Sequence, residues 1–112
     1  MITKEEKIVE VNDFVPTYFR RDGVDHKLIY KNLMCKEAKV GAKVGVGVYE
    51  LSYGKSALIV GYNVVNFRCM INPFNLNVYT PYPSKDKWGV DGFSKYTLEG
   101  AMKKVEELEK LV

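Results

Sequence analysis

Valine and glycine alternate strictly through Val44-Gly45-Val46-Gly47-Val48-Tyr49. Successive side chains of a strand point to opposite faces, so this pattern gives one β-branched face and one that is nearly bare. A second apolar run follows from Ala57 to Tyr62. Together the two runs place antiparallel sheet at the centre of the fold. They specify no chemistry.

The surrounding chain reads as one α+β domain spanning residues 1–112. A chain of 112 residues buries about 65% of its unfolded surface without help from disulfides or metal. No linker, low-complexity tract or repeat divides it. Residues 3–15 suit a short helix or a strand, with Ile8-Val9-Glu10-Val11 favouring strand, and Pro16 marks a break. Asp22-Gly23 carries a hairpin signal after Tyr18-Phe19-Arg20-Arg21. Leu28, Ile29, Leu33, Cys35 and Ala38 also fit a moderately amphipathic helix, so an Asp-Gly turn leading into a helix near 25–38 is expected.

From residue 42 onward four strands are expected. They are Ala42–Leu51, Ser56–Tyr62 after a turn at Ser52-Tyr53-Gly54-Lys55, about Val64–Ile71, and Leu76–Thr80 after Asn72-Pro73-Phe74-Asn75. A tight first turn sets Leu51 opposite Ser56, Tyr49 opposite Leu58, Gly47 opposite Val60 and Gly45 opposite Tyr62, so Tyr62 would cover the glycine gap. Ser84–Phe93 reads as a polar loop. Thr97 caps a final helix whose Leu98, Ala101, Met102, Val105, Leu108 and Val112 recur at helical spacing. The expected architecture is a four-stranded antiparallel sheet over about 42–80 with an amphipathic C-terminal helix over about 97–112 on one face, preceded by a helical or hairpin segment.

That register puts Val46, Val48, Ala57 and Ile59 on one sheet face and Tyr49, Leu58, Val60 and Tyr62 on the other. Both faces are apolar, and one helix covers only one of them. The second needs the N-terminal segment, a second subunit in a homodimer, or a partner.

Enzyme motifs fail on spacing or context. Gly54-Lys55-Ser56 ends like a phosphate-binding loop, but Tyr49 occupies the position of its first glycine and a strand follows instead of a helix. Gly45-x-Gly47 starts like a dinucleotide fingerprint, yet Glu50 stands where the third glycine belongs. His26 lies beside Asp25 without a nucleophile elbow. Cys35 and Cys69 read as reduced, mostly buried thiols. His26 is the only histidine, so the four Cys/His ligands of structural zinc are not on offer. No catalytic residue, metal or cofactor is expected. No apolar stretch is long enough to cross a bilayer. The opening Met1-Ile2-Thr3-Lys4-Glu5-Glu6 lacks a secretory pattern, so a cytoplasmic location without membrane association is expected.

What remains points to binding. Eight tyrosines, five phenylalanines and one tryptophan fit core and rim packing on the one hand and a binding surface on the other. Trp88, Tyr82 and Phe93 frame a glycine-containing loop, and an aromatic at such a tip is a candidate anchor for a protein partner; Trp88 folding back as a lid on the helix edge is the alternative. Tyr49 and Tyr62 with Lys43, Lys55 and Arg68 lie in residues 41–80, where Glu50 is the sole acid. Aromatics with interspersed cations on a sheet are also how single-stranded nucleic acid is held. The order of four strands then helix looks like the Whirly and PUR single-stranded-DNA folds, a likeness of topology, which does not carry function by itself. The Lys/Glu/Asn/Tyr-rich composition is similar to that of small phage or mobile-element accessory proteins, including inhibitors of host defence. The expected function is a small non-enzymatic module acting through a protein partner, with single-stranded nucleic-acid binding as the alternative.

Overall fold

A computed structural model describes residues 8–13, 15–54 and 58–110. Along the chain run β1 (Ile8–Glu10), β2 (Tyr18–Arg21), β3 (Val24–Leu33), β4 (Glu37–Lys39), β5 (Lys43–Ser52), β6 (Ile59–Arg68), β7 (Met70–Ile71), β8 (Val78–Tyr79), β9 (Gly92–Lys95) and α1 (Leu98–Glu109). The class is α+β, with one helix packed on a large antiparallel sheet. That sheet has five strands in the order β2-β3-β5-β6-β9, while β1 pairs with β4 and β7 with β8 as separate ribbons.

The expected helix over 25–38 is strand. Asp22 and Gly23 have φ of 54° and 77°, the positive values that the type I′ two-residue hairpin turn requires at both central positions. They return the chain directly into β3, with Phe19 paired to His26. The helical look of Leu28, Ile29 and Leu33 has a specific origin. Leu28 pairs with Tyr49 and Tyr30 with Val48, leaving Ile29 as an extra residue in a bulge. A bulge switches which parity faces which side. Thus Leu28 and Leu33 pack on one face while Tyr30 and Met34 pack on the other, and the strand's period of two is broken midway.

The central hairpin forms with another register. Leu51 pairs with Gly61, Tyr49 with Asn63, Gly47 with Val65 and Gly45 with Phe67, so the expected register is offset by an odd number of residues. An odd offset exchanges the two faces of the second strand. The aromatic that covers the glycine gap is therefore Phe67: a Cβ on Gly47 would lie 2.6 Å from its ring. Tyr62 instead packs on the helix side. The expected strands 56–62 and 64–71 are largely one, β6. The expected fourth strand is only the short β8, and the sheet's last strand is β9, inside what reads as the end of a loop. Ser56 and Ala57 lie outside the described residues.

The C-terminal helix forms where its stripe places it. Thr97 Oγ accepts from the Gly100 backbone N–H at 3.0 Å, and Ala101, Val105 and Leu108 are buried. They meet Val46, Val48 and Val64 to make one core. The far end of the helix is tied down by polar groups. Glu109 accepts from Tyr30 O–H at 2.8 Å and from Asn32 Nδ2 at 2.6 Å. Lys43 Nζ donates to the Leu108 carbonyl at 2.5 Å, a cation placed where the helix dipole is negative. Residues 111–112 are outside the described set.

The opposite face carries the second core, of Val15, Val44, Tyr49, Val65, Phe67 and Cys69. Val9 and Val11 from the N-terminal segment, Val78 from β8, and Tyr82 and Trp88 beyond it pack over this core. Among the described residues, then, the chain covers much of its own second face, with the N-terminal segment supplying only part of the cover. No helix is long and apolar enough to cross a membrane.

Candidate functional site

Where the second core meets the Asp22-Gly23 turn, the cover is incomplete and a cleft of about 350 Å³ opens. Its position follows from strand pairing. His26 in β3 pairs with Leu51 in β5, and Asn63 in β6 pairs with Ser94 in β9. All four line the cleft from the sheet. Tyr82 and Trp88 cross above them and supply the walls.

The aromatic packing is continuous. His26 stacks on Phe19 at 4.5 Å between centroids with planes 17° apart. Tyr82 meets Phe19 at 4.8 Å, Tyr49 at 5.0 Å and His26 at 5.6 Å, each edge to face, and Trp88 lies 6.1 Å from Tyr82. Edge-to-face pairs add about 0.5–1.5 kcal/mol each beyond area burial, so these rings hold one another in place. Trp88 is fixed further by Gly92, where a Cβ would come within 2.3 Å of the indole. Only a glycine allows the ring to lie flat on β9.

Beneath the rings runs a polar relay. Trp88 Nε1 donates to Ser94 Oγ at 3.0 Å; Ser94 Oγ donates to Asn63 Oδ1 at 3.1 Å; Asn63 Nδ2 donates to Tyr82 Oη at 2.9 Å. His26 Nδ1 lies 3.0 Å from the Val24 carbonyl. That contact requires the proton on Nδ1 and leaves Nε2 as an acceptor. Burial holds the His26 imidazole below its ordinary pKa, which keeps it neutral near pH 7. Burial also pushes the Tyr82 hydroxyl up, against the opposing effect of the Asn63 hydrogen bond. At the mouth, Asp22 and Lys85 pair at 2.7 Å, and this hydrogen bond lowers the Asp22 pKa. The Arg21 guanidinium sits 5.8 Å from the centre of the Tyr82 ring.

The loop bearing Trp88 is held from below as well. Arg68 grips Asp91 through Nε at 2.8 Å and Nη2 at 2.9 Å, and its Nη1 donates to the Gly41 carbonyl at 3.1 Å. Asp91 is buried, so this two-pronged contact compensates a desolvated carboxylate.

The sequence-derived anchor trio is therefore split. Tyr82 and Trp88 wall the cleft. Phe93 lies on the other side of the sheet, packed with the helix core and capped by Lys104 Nζ at 4.2 Å from its ring centre. Trp88 is not a projecting tip: it folds back onto β9, not the helix edge. The second set of candidates does not assemble into an exposed platform. Tyr49 is fully buried, with its hydroxyl donating to the Pro16 carbonyl at 2.5 Å, and Tyr62 is on the opposite face. Lys43 and Arg68 are engaged as described, and Lys55 lies outside the described residues.

Sequence reasoning missed His26, Asn63, Ser94 and Arg21 as neighbours of this site. The Asp22-Gly23 turn read as a hairpin would have placed Phe19 across from His26. Nothing in Gly92-Phe93-Ser94-Lys95 announces that Ser94 pairs with Asn63. Among the described residues no cluster of His, Cys, Asp and Glu could hold a metal.

No family model, curated protein or solved structure matches this chain.

Proposed function

We propose that this protein is a small non-enzymatic binding module that acts through a protein partner, and that the Tyr82–Trp88 cleft is where the partner docks. The observation that carries this reading is a cleft with fixed aromatic walls over a floor whose polar atoms are already connected. Rings locked by their neighbours lose little conformational freedom on binding, which is the property of interface hot spots built on Trp, Tyr and Arg. Neither cysteine lines the cleft, so no thiol nucleophile stands beside His26.

A displayed random-peptide library panned on the native protein, with the Trp88→Ala variant as counter-selection, tests the reading. Peptides retained by the native protein and released by the variant are expected, with far-UV circular dichroism unchanged between the two. Enrichment of the same peptides on both proteins would remove the cleft from the proposal.

A further inference from the structure

We propose that the cleft selects a planar aromatic side chain lying next to a carboxylate on the partner segment. This rests on the cleft being the docking site, and it adds the chemistry that the cleft reads.

Size sets the first limit. At about 350 Å³ the space is near the lower end of ligand sites, which run from about 300 to 1,000 Å³. One ring system and its attachment fill it, and an extended polymer does not. His26, Tyr82 and Trp88 offer faces and edges to such a ring, while Val24 and Leu51 complete an apolar lining.

Charge sets the second. Three charged side chains line the mouth: Arg21, Asp22 and Lys85. Asp22 and Lys85 satisfy each other. Arg21 forms no close ion pair among the described residues: its guanidinium lies over the Tyr82 ring, and the Asp22 carboxylate, held by Lys85, acts on it only at longer range. One positive charge is thus left over beside the cleft, on a planar fork suited to a carboxylate. A cationic guest would meet that charge without compensation.

Open hydrogen-bonding capacity sets the third. In the relay, Ser94 Oγ accepts from Trp88 and donates to Asn63 Oδ1, and Asn63 Nδ2 gives one of its two N–H groups to Tyr82 Oη. The hydroxyl proton of Tyr82 has no acceptor among the described residues. A carboxylate beside the bound ring would accept from Tyr82 and Arg21 together, and His26, neutral by virtue of its burial, adds no competing charge.

Trp88 is the sole tryptophan, so its fluorescence reports on the cleft alone. The experiment titrates the protein with N-acetyl-phenylalanine, with its uncharged amide and with oligothymidylate, exciting at the indole band, and repeats the series on Arg21→Gln. Saturable change with the acid is expected, with the amide about five- to tenfold weaker, the size expected of a half-exposed charge-assisted contact. Arg21→Gln should lower the acid to the level of the amide and leave the amide unchanged. Equal binding of acid and amide, or an unaltered preference in Arg21→Gln, would overturn the carboxylate. No saturable change with either probe would overturn the ring. Tighter binding of oligothymidylate than of the acid would overturn the proposal in favour of nucleic acid. Panning that enriches cleft-dependent peptides lacking an aromatic–acid pair would overturn it while leaving the docking site in place.

Discussion

The two faces of the central sheet are built differently from the same strands. On the helix side, Val46, Val48 and Val64 meet Ala101, Val105 and Leu108, flanked by Tyr30, Tyr62 and Phe93, a layer closed by one continuous element. On the other side Val44, Tyr49, Val65 and Phe67 are covered by pieces: the N-terminal segment, β8, Tyr82 and Trp88. A helix covers a face evenly because its stripe repeats every turn. Separate segments meet at seams, and aromatic rings with polar edges bridge seams better than aliphatic chains do. The cleft is such a seam, left open between the Asp22-Gly23 turn and the loop carrying Trp88. Stability should therefore be shared between the faces, while recognition should belong to one.

The largest effect is expected from truncating the ring that fills the glycine gap. Phe67 is fully buried, touches Tyr49 edge to face at 6.4 Å and lies against Gly47. Phe67→Ala should cost about 3–5 kcal/mol, and Leu108→Ala on the helix side about 2–3 kcal/mol, since Leu108 sits near the helix end. Urea unfolding measures both. The comparison breaks if Leu108→Ala shifts the native-state emission of Trp88, because that would couple the helix core to the cleft.

Gly92→Ala sharpens the comparison at smaller cost. Backbone strain is not the issue here, but the new methyl would overlap the indole, and Trp88 must swing out. Overpacking of this kind costs about 1–3 kcal/mol, toward the lower value because a loop side chain can move. The expected signature is a red-shifted Trp88 emission and loss of protection of the indole N–H that now donates to Ser94. Emission like that of the native protein would mean that Trp88 is not held by β9.

How much of this was legible in the sequence depends on periodicity and on turn length. The Thr97-capped helix and its stripe were readable because 3.6-residue spacing is local. The Val-Gly alternation located β5 for the same reason. Register was not readable, because β5 and β6 meet beyond a tight turn and a bulge between the Ser52–Ile59 and Leu51–Gly61 pairs makes the total offset odd, which moves Tyr62 to the other face. β3 was misread as helix because the bulge at Ile29 shifts the apolar parity midway along the strand. Of the site, Tyr82 and Trp88 were legible as aromatics in a loop. Asn63, Ser94 and His26 became members through the His26–Leu51 and Asn63–Ser94 pairings, 25 and 31 residues apart in sequence, information that no local pattern holds.

The smallest effect is a pH dependence confined to the aromatic side. His26 is buried and its pKa is lowered chiefly by that burial, with Arg21 lowering it further and the Val24 carbonyl, Asp25 and Asp22 acting in the other direction. The unfolded chain therefore binds a proton near the ordinary value of about 6.5 while the folded chain resists it. Wherever the unfolded state holds more protons, stability falls as pH falls. The His26 contribution is full above about pH 6.5 and is lost progressively below it. Asp22 and Asp25 are shifted down by Lys85 and Arg20 respectively, so their contributions hold until pH nears about 4. The interval between these values isolates the histidine. Melting temperature of the native protein should decline from pH 7.5 to 5 more steeply than that of His26→Gln, and Trp88 emission should report the same difference. Parallel profiles would mean that protonated His26 is accommodated in the folded cleft, and the aromatic side would then tolerate a charge as readily as the mouth does.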